Sequence, residues 1–235
     1  FVNYDSVRQL LVSRYGVDDA RIRRTPYAPE TAFLPVPDAA PPATIAALRQ
    51  SGAPVIVVMS RHVPRKGLVH LLHALHRLKR EGVAFRACLV GGGYLLEHHR
   101  ALARKLGLGA WVQIVGRVPE TFDYVRHADL FVLPSLEEGS GSMSMLEAMQ
   151  AGVALVATRI DGIPEDVTDG ADALLVPPAD DEALAAAIRR LLEDAAMRRR
   201  LGAAARQTFQ ARFSAEALVA GLTEAYLDVG KAAGF

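Results

Sequence analysis

From Pro54 onward the chain alternates between short apolar runs and longer amphipathic segments. The apolar runs are "PVIVVMS", "FRACLVG", "WVQIVG", "LFVLPS", "ALVATR" and "ALLVPP", and short runs that stay apolar instead of alternating predict strands buried on both faces. Between the first two lies "GLVHLLHALHRLKREG", whose Leu68, Leu71, Leu72, Leu75 and Leu78 recur at helical spacing, and "YLLEHHRALARKLG" repeats the pattern between the second and third. "ETFDYVRHA" supplies a third crossover helix, and "SLEEGSGSMSMLEAMQAG" a fourth that starts near Ser142. Strands and helices in this order predict an α/β fold, a doubly wound, Rossmann-like parallel sheet of about six strands covered on both faces by helices. After the last strand, "DDEALAAAIRRLLEDAAMRRRLGAAARQTF" has Asp in its first turn and Gly202 as the expected break. "SAEALVAGLTEAYLDVGKA" then makes a terminal helix with Ser214 as N-cap.

The residues before Pro54 follow a different pattern. "DSVRQLLVSRYGV" predicts one capped helix, whereas "PYAPETAFLPVPDAAPPAT" is rich in proline and leaves no room for a long strand. An opening on the apolar fragment "FV" is unusual for a free-standing domain. The expected organisation is a hinge and the remnant of a preceding domain over residues 1–50, then a ligand-binding domain with C-terminal helices over residues 51–235.

Composition narrows the classes. The chain is 51% hydrophobic and 6% aromatic, ordinary for a globular core. With 27 Lys+Arg against 26 Asp+Glu the formal charge is +1, so no global field recruits nucleic acid or an anionic membrane. The single cysteine, Cys88, sits in "RACLVG" and reads as a small core residue in a reducing compartment. No apolar stretch approaches the roughly 20 residues that span a bilayer, and "FVNYDSVRQLL" lacks the basic start and apolar core of a signal peptide. The expected location is the cytoplasm, with no membrane contact visible in the chain.

In a doubly wound sheet, ligands bind beyond the carboxyl ends of the strands. The first strand ends in "SRHVPRKG", where Arg61 and Lys66 stand beside the start of a helix. They form either an anion site, most naturally for phosphate, or a solvated basic turn. The second ends in "GGGY", which is not G-x-G-x-x-G, so a nicotinamide oxidoreductase is disfavoured. The third ends in "GRVPE", where Gly116, Arg117 and Val118 offer a shelf for a planar base or a simple turn. The fourth runs into Glu137 and Glu138, then Gly139, Ser140, Gly141 and Ser142, whose N–H groups and helix start suit an anion, with Glu147 near the second helical turn. Carboxylates beside such a site are expected to accept hydrogen bonds from hydroxyls. The implied ligand is phosphate-bridged, with hydroxylated rings at its ends. A glycosidase-type acid pair leaves the basic loop unexplained. His70, His73 and His76 drift round one helix without supporting acids, and there is no D-x-D pair, so no metal is expected. Arg198, Arg199 and Arg200 read as solvated surface.

With those residues placed, the chain closely resembles the C-terminal, donor-binding domain of GT-B-fold retaining glycosyltransferases of the glycogen synthase-like "glycosyltransferases group 1" family. "SRHVPRKGL" resembles the family's G-R-x-x-x-x-K-G loop, "ADLFVLPSLEEG" its strand and acidic turn, "LEAMQAGVALVATRIDGIPEDVTDG" its helix and following loop, and "ALLVPPADDEALAAAI" its final sheet segment. The resemblance implies that Arg61 and Lys66 grip the diphosphate, that Glu147 binds the ribose diol, and that Glu138 (or Glu137) sits against the transferred sugar. It also implies a nucleotide-diphosphate sugar as donor substrate, transfer with retention to a hydroxyl, no cofactor or bound metal, and an acceptor domain across a cleft, in cis or in trans, without which the chain is inactive. Two departures stand out. The family pattern places seven residues between its two Glu, whereas "GSGSMSML" is one longer, and the expectation is a loop that bulges while Glu138 still reaches the sugar. "PYAPETAFL" replaces the usual hinge sequence. The alternatives are a non-catalytic nucleotide-sugar-binding module and a nucleotide-sugar epimerase-like domain.

Overall fold

In the computed structural model, which describes residues 1–33, 39–139 and 141–232, all six predicted strands are present and join one parallel sheet. In chain order the elements are α1 (Asp5–Tyr15), α2 (Ala43–Arg49), β1 (Val55–Met59), α3 (Leu68–Arg80), β2 (Arg86–Val90), α4 (Leu96–Lys105), β3 (Val112–Val115) and α5 (Thr121–Arg126). There follow β4 (Leu130–Leu133), α6 (Met143–Ala151), β5 (Ala154–Thr158), α7 (Ile163–Asp166), β6 (Leu174–Val176), α8 (Asp181–Glu193), α9 (Ala195–Arg212) and α10 (Ala215–Ala232). The sheet order is β3-β2-β1-β4-β5-β6, the doubly wound order in which the chain reverses its direction of travel between β1 and β4. Residues 34–38 of the proline-rich stretch and Ser140 lie outside the described residues.

The uninterrupted apolar character of the strands follows from burial on both faces. In β1, Val55, Val57 and Met59 join one core with Cys88, Phe131 and the buried residues of α6. Ile56 and Val58 join the other, with α3 and α8. The twofold alternation of side chains in a strand divides consecutive residues between two helical layers. Leu71, Leu72, Leu75 and Leu78 of α3 are fully buried, each contributing roughly 1.5–3 kcal/mol of apolar transfer free energy. Cys88 is buried as expected, and that burial pushes its thiol up to about 12, which leaves it unreactive.

Two expectations are corrected. The break between the helices after β6 falls at Asp194, whose carboxylate accepts from Met197 N at 2.8 Å and caps α9. Gly202 instead lies within α9, where a Cβ would stand 2.2 Å from Gly152 O, so it serves close packing rather than helix termination. Arg198 is not simply solvated: its Nη1 donates to Leu191 O at 2.6 Å and Leu192 O at 2.8 Å, satisfying carbonyls at the end of α8. The terminal helix starts as predicted, with Ser214 Oγ accepting from Ala217 N.

The N-terminal segment is tied to the sheet by buried polar groups. No side chain of its own caps the start of α1. Glu165, which follows β5, accepts from Asp5 N at 2.8 Å and Ser6 N at 3.0 Å. Burial works to raise the Glu165 carboxyl, but these N–H donors and Arg24 outweigh it and hold it below the usual range. Tyr4 is fully buried. It and Tyr27 donate to Asp166 Oδ2 at 2.7 and 2.5 Å.

Candidate functional site

The loops after β1 and β4 leave the sheet in opposite directions at its topological switch point, which opens a crevice between them. Glycine lets them meet. Gly67 has φ +62, and a Cβ on it would lie 1.9 Å from Pro134 O, so the start of α3 abuts the end of β4 as no other residue would allow. The main chain then joins the loops directly. Arg65 O accepts from Leu136 N at 2.7 Å and Glu137 N at 3.2 Å, and Arg65 Nη1 donates to Glu137 O at 3.1 Å.

On this frame Lys66 Nζ donates to both Glu138 oxygens at 2.6 Å. Ser135 Oγ donates to Glu138 Oε1 at 2.5 Å, and Thr158 Oγ1 donates to Ser135 O at 2.5 Å. Glu138 is only 8% exposed, whereas Glu137 lies on the surface. Of the two adjacent acids, the structure therefore brings Glu138 to Lys66 and leaves Glu137 outside. The Glu138 and Gly139 N–H groups both donate to Asp161 Oδ2, at 2.6 and 2.9 Å.

Arg61 is exposed, and among the described residues no hydrogen bond or ion pair holds its side chain. Ser142 is buried, and its Oγ caps α6 by accepting from Met145 N at 3.4 Å. Gly141 has φ +102, with Tyr4 OH 2.3 Å from where a Cβ would stand, so Gly141 itself rests on the N-terminal segment. Glu147, half-buried on α6, also has no hydrogen-bond partner among the described residues, and burial pushes its carboxyl up to about 7. Gly116 follows β3 directly, and its carbonyl accepts from Gly91 N at 3.2 Å. Arg117 is exposed and lies against Gly92, while Val118 packs on the core.

Sequence reasoning passed over three residues here. His62, in the loop between Arg61 and Lys66, is fully buried with its Nδ1 2.9 Å from His99 Nδ1. Burial, then the neighbouring His99 and Arg100, push it down to about 4. Ser135 and Asp161 are the others. Asp161 follows the fifth strand, and extending the inspection of strand ends from four strands to five would have found it. The histidines of α3 diverge: His70 meets Asp181 at 2.7 Å and His76 meets Leu106 O at 2.9 Å.

The family model for glycosyl transferases group 1 matches residues 45–208, which contain both loops of this crevice. The chain belongs to this family. Among relatives of this group 1 domain, the lipopolysaccharide core biosynthesis glycosyltransferase LpsD of Rhizobium meliloti is 37% identical over 191 residues, covering 81% of this chain and 53% of that protein. The GDP-mannose-dependent alpha-(1-6)-phosphatidylinositol monomannoside mannosyltransferase of Mycolicibacterium smegmatis is 33% identical over 211 residues, covering 85% and 54%. The group 1 chain thus spans about half the length of the curated relatives it matches. Its fold superposes with a TM-score of 0.80 on Anabaena Alr3699/HepE in complex with UDP-glucose, at 22% identity, over 97% of this chain and 63% of that one. The six-stranded sheet accordingly has the Rossmann-like form found in GT-B folds. Within the group 1 match lie Arg61, Lys66, Glu138, Glu147 and Asp161, whereas α1 and α10 lie outside it. Among the described residues, no helix is long and apolar enough to cross a membrane.

Proposed function

We propose that this chain is the donor-binding half of a glycosyltransferase, holding a nucleotide-diphosphate sugar for transfer, with retention and without a metal, to an acceptor hydroxyl. The observation that carries the reading is the arrangement at the switch point: a Lys66–Glu138 pair spans the crevice, with an uncommitted Arg61 on the β1 side and an uncommitted Glu147 on α6. Arg61 meets the diphosphate and neutralises the charge that grows on it as it leaves. An ammonium has three donors. Two of those on Lys66 serve Glu138, and the third is left for a phosphate oxygen. Glu147 accepts from the ribose diol, and Glu138 lies against the sugar. A relative dependent on GDP-mannose and a fold neighbour bound to UDP-glucose support a nucleotide-diphosphate sugar as the donor class.

Calorimetry with UDP, GDP and ADP tests this. Arg61→Ala is expected to weaken the bound diphosphate by about 1.5–3 kcal/mol, the range for a hydrogen bond to a charged group. Unchanged affinity removes Arg61 from the site. Because the acceptor half lies across the cleft, this chain by itself is expected to bind nucleotide without turnover, and steady sugar transfer by it would refute that division. The clamping of the Glu138 carboxylate by Lys66 and Ser135 favours one second reading, a non-catalytic nucleotide-sugar-binding module. Absence of transfer by the full-length protein with any donor would select it.

A further inference from the structure

Asp161 is exposed, yet its backbone has φ +43, a left-handed conformation uncommon outside glycine. Its carboxylate explains the position. Oδ2 accepts from two consecutive main-chain N–H groups, those of Glu138 and Gly139, at 2.6 and 2.9 Å. Gly139 is itself left-handed, φ +66, and successive N–H groups turned to one point by such a residue form an anion-binding concavity. In this chain that concavity is filled by the protein's own anion. The adjoining cavity, of about 410 Å³, is lined by Arg65, Glu137, Glu138, Gly139 and Asp161. Three carboxylates there face two cations, Arg65 and the Lys66 bound to Glu138, so the balance is acidic where two bare N–H donors would have made it receptive to an anion.

We propose that Asp161 is a specificity-determining residue that restricts the donor to neutral, hydroxyl-bearing sugars and rejects sugars carrying a carboxylate. The proposal rests on the donor-site reading above. A sugar hydroxyl can donate to Asp161 Oδ1 or to the second lone pair of Oδ2. A hexuronate finds its natural N–H partners already taken and meets like charge at contact distance. Glu137, exposed and on the same cavity, adds to the repulsion without touching the N–H donors.

Titration calorimetry of this chain tests the proposal by comparing UDP-glucose with UDP-glucuronate and GDP-mannose with GDP-mannuronate, with UDP and GDP alone as references. The expected preference for the neutral sugar is about tenfold, the effect of one unfavourable charge contact of moderate screening. It is expected to narrow to about twofold in Asp161→Asn, which keeps an oxygen acceptor for the two N–H groups. Asp161→Gly, which takes the left-handed backbone freely, is expected to narrow it at least as far, because it frees both donors. Affinity for UDP or GDP is expected to stay within about twofold in both variants, because the diphosphate is assigned to Arg61 and Lys66 and Asp161 touches only the Glu138 and Gly139 N–H groups. Equal binding of neutral and acidic sugars by the wild type, or a preference that survives both substitutions, overturns the assignment. Loss of UDP and GDP affinity in both variants also overturns it, since Asp161 would then be maintaining the diphosphate site rather than selecting the sugar. A wild-type chain that binds none of UDP, GDP and ADP sinks the donor-site reading itself, and that result is seen before any sugar is compared.

Discussion

Glu147 and Glu138 are nine positions apart in the chain and chemically alike, yet their surroundings give them different behaviour. Glu138 has a cation on both oxygens, whereas Glu147 is half-buried with no hydrogen-bond partner among the described residues, and burial raises its carboxyl from 4.5 to about 7. Between those two pH values the folded chain keeps a proton that the unfolded chain has released, so folding stability falls as pH rises through that window. Glu147→Gln removes this loss. The variant is expected to exceed the wild type by up to about 3 kcal/mol at pH 8 and to match it below pH ~4.5, as read by urea unfolding at the two pH values. Nucleotide affinity should move the other way if Glu147 accepts ribose hydroxyls as a carboxylate: in the wild type it rises as pH passes about 7, and in the variant it is weak throughout. A stability gap independent of pH would show that the carboxyl is not raised by burial.

At the scale of elements, local preference and tertiary packing disagree most plainly in α9. An exposed helical glycine changed to alanine gains about 1 kcal/mol from propensity alone. Gly202 lies against the Gly152 carbonyl, with the added Cβ only 2.2 Å from the oxygen. Gly202→Ala is therefore expected to destabilise the chain by about 1–3 kcal/mol, the usual cost of overpacking. A variant that melts at or above the wild-type temperature would show that α9 can slide away from the α6–β5 turn without loss. The same distinction accounts for the misplaced helix break. "EDAAM" carries an N-cap signal at Asp194 as good as the glycine signal at Gly202, and only the contact with Gly152 shows which residue ends a helix and which permits a close approach.

At the scale of the whole molecule, the N-terminal segment and the sheet form one polar and apolar unit around Asp166, which is 1% exposed. Tyr4→Phe removes one of its two hydroxyl donors. A buried acceptor left short of a partner costs about 1–3 kcal/mol. Trp111, the single tryptophan, packs on the core at the opposite face of the sheet, beside Phe85. Its fluorescence is expected to report that loss as a shift of one cooperative unfolding transition, whereas an unshifted midpoint would mean that residues 1–33 detach before the sheet unfolds. The strands, the helices that cross between the first five of them and the identity of Arg61, Lys66 and Glu147 as candidates were legible in the sequence, whereas the short helices α2 and α7 were not. Buried parallel strands are continuous apolar runs, crossover helices are amphipathic, and a doubly wound sheet directs attention to the charged residues that follow its strands and open the next helices. Sequence also determined the Gly/Ser loop and its extra residue. Tertiary structure alone decided the strand order, which of Glu137 and Glu138 turns inward to Lys66, the capping of α1 by Glu165, and the occupation of two loop N–H groups by Asp161. Each of these is a contact between residues that are remote in the chain or that local pattern cannot rank. Such contacts depend on how the layers close, and periodicity carries no information about that.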